Sequence, residues 1–178
     1  GLDPGQYQVC VRPPGGDLVY ECWNDAYVLS EAPLVDVRTA DRTGIDIALI
    51  HGRTISGRVS LPAGADPQSL RGVSIAVESI AANGTVRSAL TTNVSPDPVT
   101  GAYAVTALPP GSYRVRFDAY GYWNDAGEFV TPPLAGFWYA TARTPAAATL
   151  LDLSAQSRTG IDATLLRASG TVSGTVDL

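Results

Sequence analysis

Lysine is absent from the 178 residues, methionine is absent too, and all 12 basic residues are arginine. Without lysine, Schiff-base and amine-nucleophile chemistry is excluded, and so is an intramolecular Lys–Asn isopeptide crosslink. Charge is scarce, at 16% of residues, and the formal net charge is −5. Such a chain lacks the basic stripe that neutralises phosphates, which excludes nucleic acid as a partner. An anionic membrane surface is disfavoured for the same reason, and no apolar run is long enough for membrane insertion. The single histidine, His51, has no ligand spacing around it. No metal and no cofactor is therefore expected. The Asp-bearing loops "AGADPQ" and "SPDPVTG" lack the spaced ligand series of a calcium site. Catalysis of the Ser/His/Asp kind would have to use His51, and no nucleophile motif lies near it. Asp36, Asp46, Asp152 and Asp162 recur at matching places, which reads as scaffolding rather than an acid–base pair. No enzyme is expected. Residue 1 is not Met and no charged-then-apolar leader is present. The expectation is a mature product or a piece of a longer chain.

What the chain does have is punctuation: 13 prolines and 18 glycines divide short runs of Val, Ile, Tyr and Thr. "YQVCV", "IDIAL", "ISGRVSL", "VSIAVES", "AYAVTAL", "YRVRF" and "IDATL" alternate with period two, as half-buried strands do. "TARTPAAATL" is Ala-rich, but Pro145 limits it to a turn of helix. An all-β class follows. Cys10 and Cys22 flank "VRPPGGDLVYE", where Pro-Pro-Gly-Gly supplies turn chemistry. The two cysteines are expected to face each other across a hairpin as a disulfide, with two buried thiols as the alternative. Closure of so short a loop contributes roughly 2–3 kcal/mol. A disulfide implies an oxidising, extracellular compartment. "NGT" at 83 and "NVS" at 93 fit the glycosylation pattern, most simply as coincidence.

Internal repetition is the strongest signal. "GLDPGQYQV" matches "ALPPGSYRV", pairing Tyr7 with Tyr113 at an offset of 106. "DRTGIDIAL" matches "SRTGIDATL", pairing Gly44 with Gly160 at 116. "TISGRV" matches "TVSGTV", pairing Gly57 with Gly174 at 117. The unit is about the length of one β-sandwich domain. Residues 1–50 then hold the later strands of a first module, 51–167 a complete second one, and 168–178 an opening strand. The join "ALIHGRTISG" has no flexible spacer, so neighbouring modules should be closely coupled.

"GTVSGTV" and "TISGRV" as opening strands, "TGAYAVTALPPGSYRVRF" in the middle and "RTGIDATL" at the close resemble carboxypeptidase regulatory-like modules. That group is similar to the collagen-adhesin B-type and transthyretin-like (prealbumin-like) folds. The resemblance covers nearly the whole chain. It implies tandem seven-stranded β-sandwich modules in a secreted bacterial protein, and it implies little about a ligand. Gly101 and Gly111 sit in turn contexts that favour positive φ. Tyr103 and Tyr113 open the strands that follow and can bury their rings.

Family members carry a Trp-Tyr-Asn-Asp-Ala-like segment before the Thr-Gly-Ile-Asp strand, and "CWNDA" at 22–26 fits that slot. The gapless offset of 116 places Trp138 and Tyr139 opposite Cys22 and Trp23, with Ala140 and Thr141 opposite Asn24 and Asp25. "YGYWNDAGEF" at 120–129 then falls in an enlarged hairpin or loop. The stretch 120–139 holds seven of the fourteen aromatic residues. Tyr120, Tyr122, Trp123, Phe129, Trp138 and Tyr139 are the candidates for contact with a protein partner or a glycan. A self-packed loop, or a wall against the adjacent module, is the plainer alternative. The remaining candidates are Thr171, Val172, Ser173, Gly174, Thr175 and Val176, an opening strand without a module. It is a candidate for strand exchange with another copy; a fragment of a tandem array is the alternative. The expected function is a non-enzymatic, extracellular structural repeat of a bacterial surface protein, adhesin stalk or filamentous appendage. Its partners would be other copies or adjacent modules, or a surface protein or glycan. The alternative is a carbohydrate-binding accessory module using the aromatic loop 118–139.

Overall fold

The computed structural model describes residues 1–170. The six strand-exchange candidates, Thr171 to Val176, lie outside the described residues. The described chain is all-β: strands, turns and short 3-10 segments, with no α-helix among the described residues. The Ala-rich stretch contributes only the 3-10 turn Pro145–Ala147.

Residues 1–50 contain four short strands: β1 (Gln6–Tyr7), β2 (Cys10–Val11), β3 (Glu21–Cys22) and β4 (Val35–Asp36). β1 pairs with β4 and β2 with β3, both antiparallel. The longer strands follow: β5 (Arg53–Ser60), β6 (Val73–Ile80), β7 (Thr92–Val94), β8 (Ala102–Leu108) and β9 (Ser112–Ala119). Next come β10 (Tyr122–Trp123), β11 (Phe129–Val130), β12 (Leu134–Ala135) and β13 (Phe137–Trp138). The series closes with β14 (Leu151–Asp152), β15 (Ala163–Thr164) and β16 (Leu166–Arg167).

One sheet runs β13-β9-β6-β7, with β14 also paired to β9; the other runs β15-β5-β8. Alternation along the strands decides which side chains lie between them. Val73, Ile75 and Val77 of β6 are buried, as are Tyr113, Val115 and Phe117 of β9. Ile55 and Val59 of β5 and Tyr103 and Val105 of β8 join them in one core cluster. Each fully buried apolar side chain of this size contributes about 1.5–3 kcal/mol. This cluster runs from Ile55 to Leu165. The first fifty residues have only a small cluster of their own, Cys22, Ala26 and Ala32, with Cys10 and Tyr20 against it.

Gly57 shows how closely the second sheet is drawn together. A Cβ on it would lie 2.4 Å from the Ile161 carbonyl oxygen, across the parallel β5–β15 ladder. Gly101 has φ +72 and its missing Cβ would lie 2.0 Å from the Val59 oxygen, so glycine is required there twice over.

The tyrosine rings are buried as the sequence suggests, and their hydroxyls end on backbone. Tyr103 donates to the Ile161 carbonyl at 2.6 Å, and Tyr113 to the Pro109 carbonyl at 2.7 Å. Burial pushes the Tyr113 phenol up to about 12 and raises that of Tyr103 as well.

Candidate functional site

The first unit reproduces the later half of the second, residue by residue. Cys10 pairs with Cys22 as Arg116 pairs with Trp138, and Tyr7 with Val35 as Tyr113 with Leu151. Cys22 and Ala26 exchange backbone hydrogen bonds, and so do Trp138 and Ala142. The Tyr7 hydroxyl donates to the Asp3 carbonyl as Tyr113 does to Pro109. Arg42 reaches the Asp36 carbonyl as Arg158 reaches that of Asp152. The recurring Asp36 and Asp152 side chains accept backbone N–H groups two residues on, from Arg38 and Ser154. They are scaffold. The Arg38 guanidinium holds the Asp36 carboxyl down at about 2.

Burial separates the two units. Tyr113, Val115, Leu153, Ile161 and Leu165 are buried, whereas their counterparts Tyr7, Val9, Val37, Ile45 and Leu49 are half-buried. Phe117 is fully buried, but its counterpart Val11 is exposed. In the second unit β5 and β8 cover these side chains; among the described residues the first unit has no equivalent pair of strands. Residues 41–50 belong to no sheet, yet they keep the alternation of 157–166, with Ile45, Ile47 and Leu49 turned to one side. Beside them lies an open groove of about 310 Å³, lined by Trp23, Leu34, Val35, Arg42, Gly44 and Ile45 among others. In the second unit the Ile161 carbonyl, counterpart of that of Ile45, meets the Tyr103 hydroxyl.

The disulfide is present: Cys10 and Cys22 are bonded across the β2–β3 pair. Next to Cys22, Glu21 is buried with one carboxylate oxygen lacking a partner. Its counterpart, Phe137, is a core residue. Desolvation raises the Glu21 pKa, with Asp25 adding to the effect.

The six aromatic candidates do not form one surface. Tyr120, Trp123 and Phe129 are exposed; Tyr122 and Trp138 are buried and Tyr139 is half-buried against the core. Trp123 and Phe129 face each other across the β10–β11 hairpin, ring centroids 5.5 Å apart and planes at 62°. The Phe129 ring lies on Gly121, whose missing Cβ would fall 2.2 Å from it. The hairpin turn is closed by the Asn124 side-chain oxygen, which accepts from the Ala126 and Glu128 amides. Three contacts fasten it to the 3-10 segment Pro67–Gly72 and its N-terminal cap. Tyr122 donates to Asp66 at 3.0 Å, the Asp125 amide donates to Gln68, and Arg71 pairs with Asp125 at 2.6 Å. The cleft beneath, about 130 Å³, is small for a ligand pocket. Trp138 instead lies under the Arg114 and Arg116 guanidinium groups, at 4.7 and 5.7 Å from its ring centre.

His51 pairs with Asp17 at 2.9 Å at the exposed join of the two units. Asp97 accepts from the Val99 and Thr100 amides and closes its own turn. Among the described residues no group of three His, Cys, Asp or Glu side chains could hold a metal ion, and no helix is long and apolar enough to cross a membrane. No family model, curated protein or solved structure matches the chain.

Proposed function

We propose that the chain is a non-enzymatic structural repeat unit of an extracellular bacterial protein, built of tandem prealbumin-like sandwich modules that associate head to tail. One observation carries this reading: the first unit repeats the register of the second but leaves its inner apolar face half-covered. Half-buried Tyr7, Val9, Val37, Ile45 and Leu49 form a face of core type rather than surface type. Such a face favours association with complementary strands. The Cys10–Cys22 disulfide supports an oxidising compartment. Asp36 and Asp152 are engaged in turns and His51 in a surface pair with Asp17, which supports a role without catalysis. A heterologous contact of this kind does not close and yields linear assemblies. Sedimentation velocity over a wide concentration range is the test. A series of oligomers growing with concentration supports the proposal; a monomer throughout contradicts it.

A second reading is a carbohydrate-binding accessory module, favoured by one observation: Trp123 is 65% exposed on a firmly anchored hairpin. The outer face of its indole could stack on a sugar ring. The 62° angle to Phe129 gives a wedge rather than a flat platform. Polysaccharide pull-down with wild type and Trp123→Ala decides it: retention lost in the variant supports the reading, and no retention of wild type ends it.

A further inference from the structure

We propose that the groove between the two units binds a small aromatic carboxylate, with the Arg12 guanidinium taking the carboxylate and the tyrosine rings beside it holding the ligand's ring. The site is separate from the aromatic hairpin, and the inference stands independently of the assembly reading above.

The groove has a volume of about 300 Å³ and is walled by both units. Arg12, Tyr20, Tyr27 and Leu29 line it from the first unit, and Ala89 and Leu90 from the second. Both walls are fixed in place. The 3-10 turn Leu29–Glu31 is held by the Gln8 side-chain amide, which donates to the Leu29 and Ala32 carbonyls at 2.7 and 3.0 Å. The 3-10 turn Ser88–Leu90 is held through Arg87: the Leu90 amide donates to the Arg87 carbonyl, and the Arg87 amide donates to the Ser79 carbonyl of β6. The Arg87 guanidinium then reaches across to Glu31 at 2.9 Å and ties the two walls together. Ligand pockets favour such junctions between folded units, and a volume at the small end of their range suits one ring better than a stretch of peptide.

Charge selects the ligand. The Arg12 guanidinium lies over the Tyr20 ring, 5.0 Å from its centre, and has no ion-pair partner among the described residues. The acids close by are committed elsewhere. Glu31 pairs with Arg87, and Glu21 is buried with Asp25 as its charged neighbour. Arg12 is therefore left to a ligand, and its planar fork matches a carboxylate with two parallel hydrogen bonds. The remaining walls are phenol rings and aliphatic chains, which suit a flat apolar ring. A sugar would bring several hydroxyls to walls that offer them few partners, and each one left unpaired is costly.

Two-dimensional NMR of the full chain, titrated with phenylacetate, tests this. Phenylacetamide keeps the shape without the charge, and acetate keeps the charge without the ring. Saturable shifts at groove residues of both units are expected, with each control binding at least about tenfold more weakly. Arg12→Gln should weaken phenylacetate binding to the same degree. Ala89→Trp, which fills the groove from the other unit, should abolish it. Both residues are exposed, so both variants should keep the wild-type spectrum elsewhere. Equal affinity for phenylacetamide, or unchanged affinity in Arg12→Gln, overturns the carboxylate assignment. Absent shifts, shifts confined to one unit, or binding unaffected by Ala89→Trp overturn the site itself.

Discussion

Cys22 in the first unit stands where Trp138 stands in the second. Each closes a two-way backbone bridge to the residue four positions on, and each faces the counterpart position on an earlier strand, β2 for Cys22 and β9 for Trp138. One position is thus held by two different devices: a disulfide to Cys10, and an indole under the guanidinium groups of Arg114 and Arg116. The smaller core of the first unit needs the covalent tie more, since small cores alone stabilise little. Replacing both Cys10 and Cys22 by Ser should cost about 2–3 kcal/mol of stability. Loss of protection in residues 5–37, with 73–80 unaffected, is the outcome expected in hydrogen exchange.

Two tryptophans of one segment should respond in opposite ways. Trp138 is 6% exposed, and Trp138→Ala should cost about 3–5 kcal/mol in denaturant unfolding. Trp123→Ala, at an exposed hairpin position, should change stability by less than about 0.5 kcal/mol. Equal costs would contradict the placement of Trp123 outside the core.

Glycine substitutions separate backbone strain from crowding. Gly16 and Gly101 both have positive φ, at +88 and +72, but only at Gly101 does a Cβ meet another backbone atom. Gly16→Ala should cost about 1 kcal/mol. Gly101→Ala should cost about 1–3 kcal/mol more, because the β5–β8 edge must yield. Thermal unfolding of the pair measures the difference.

Glu21 makes stability depend on pH in a definite direction. Its folded pKa is raised by desolvation and by Asp25, beside Tyr27. A raised folded pKa gives stability that is complete below the ordinary glutamate range and is lost as pH rises through the folded value. Unfolding of wild type should therefore become easier as pH rises above that range. Glu21→Gln should remove this loss and be the more stable protein at neutral pH. Asp36 acts at the other end: its lowered value, about 2, gives stability that is full above the ordinary aspartate range and is lost as pH falls from there through about 2.

The register of the repeat was legible because its markers are backbone-demanding residues. Gly44 and Gly160, both at positive φ, and Tyr7 and Tyr113, each capping a turn carbonyl, align at offsets of 116 and 106, with the enlarged hairpin as the one insertion between them. The Trp-Asn-Asp-Ala tetrapeptide was a poorer marker. Asn24 and Asp25 have φ of 66 and 56, a conformation kept not in Asn124 and Asp125 but in Ala140 and Thr141. Two hydrogen bonds to the residue four positions on impose that turn whatever side chains occupy it. The split of the six aromatics was not legible. Whether Tyr122 or Trp123 points inward depends on hairpin register, and that is set by Asn124 and by the ties to Asp66, Gln68 and Arg71. The burial of Glu21 was missed as well; its alignment with Phe137, a core residue, was the available signal.

The central claim is that residues 45–49 form an uncovered counterpart of 161–165. Amide hydrogen exchange on the wild-type chain, at dilution and at high concentration, tests it most directly. The account predicts fast exchange in 45–49 and slow exchange in 161–165 at dilution, with 45–49 becoming protected as the chain associates. Equal protection of the two segments in a dilute monomer would contradict it.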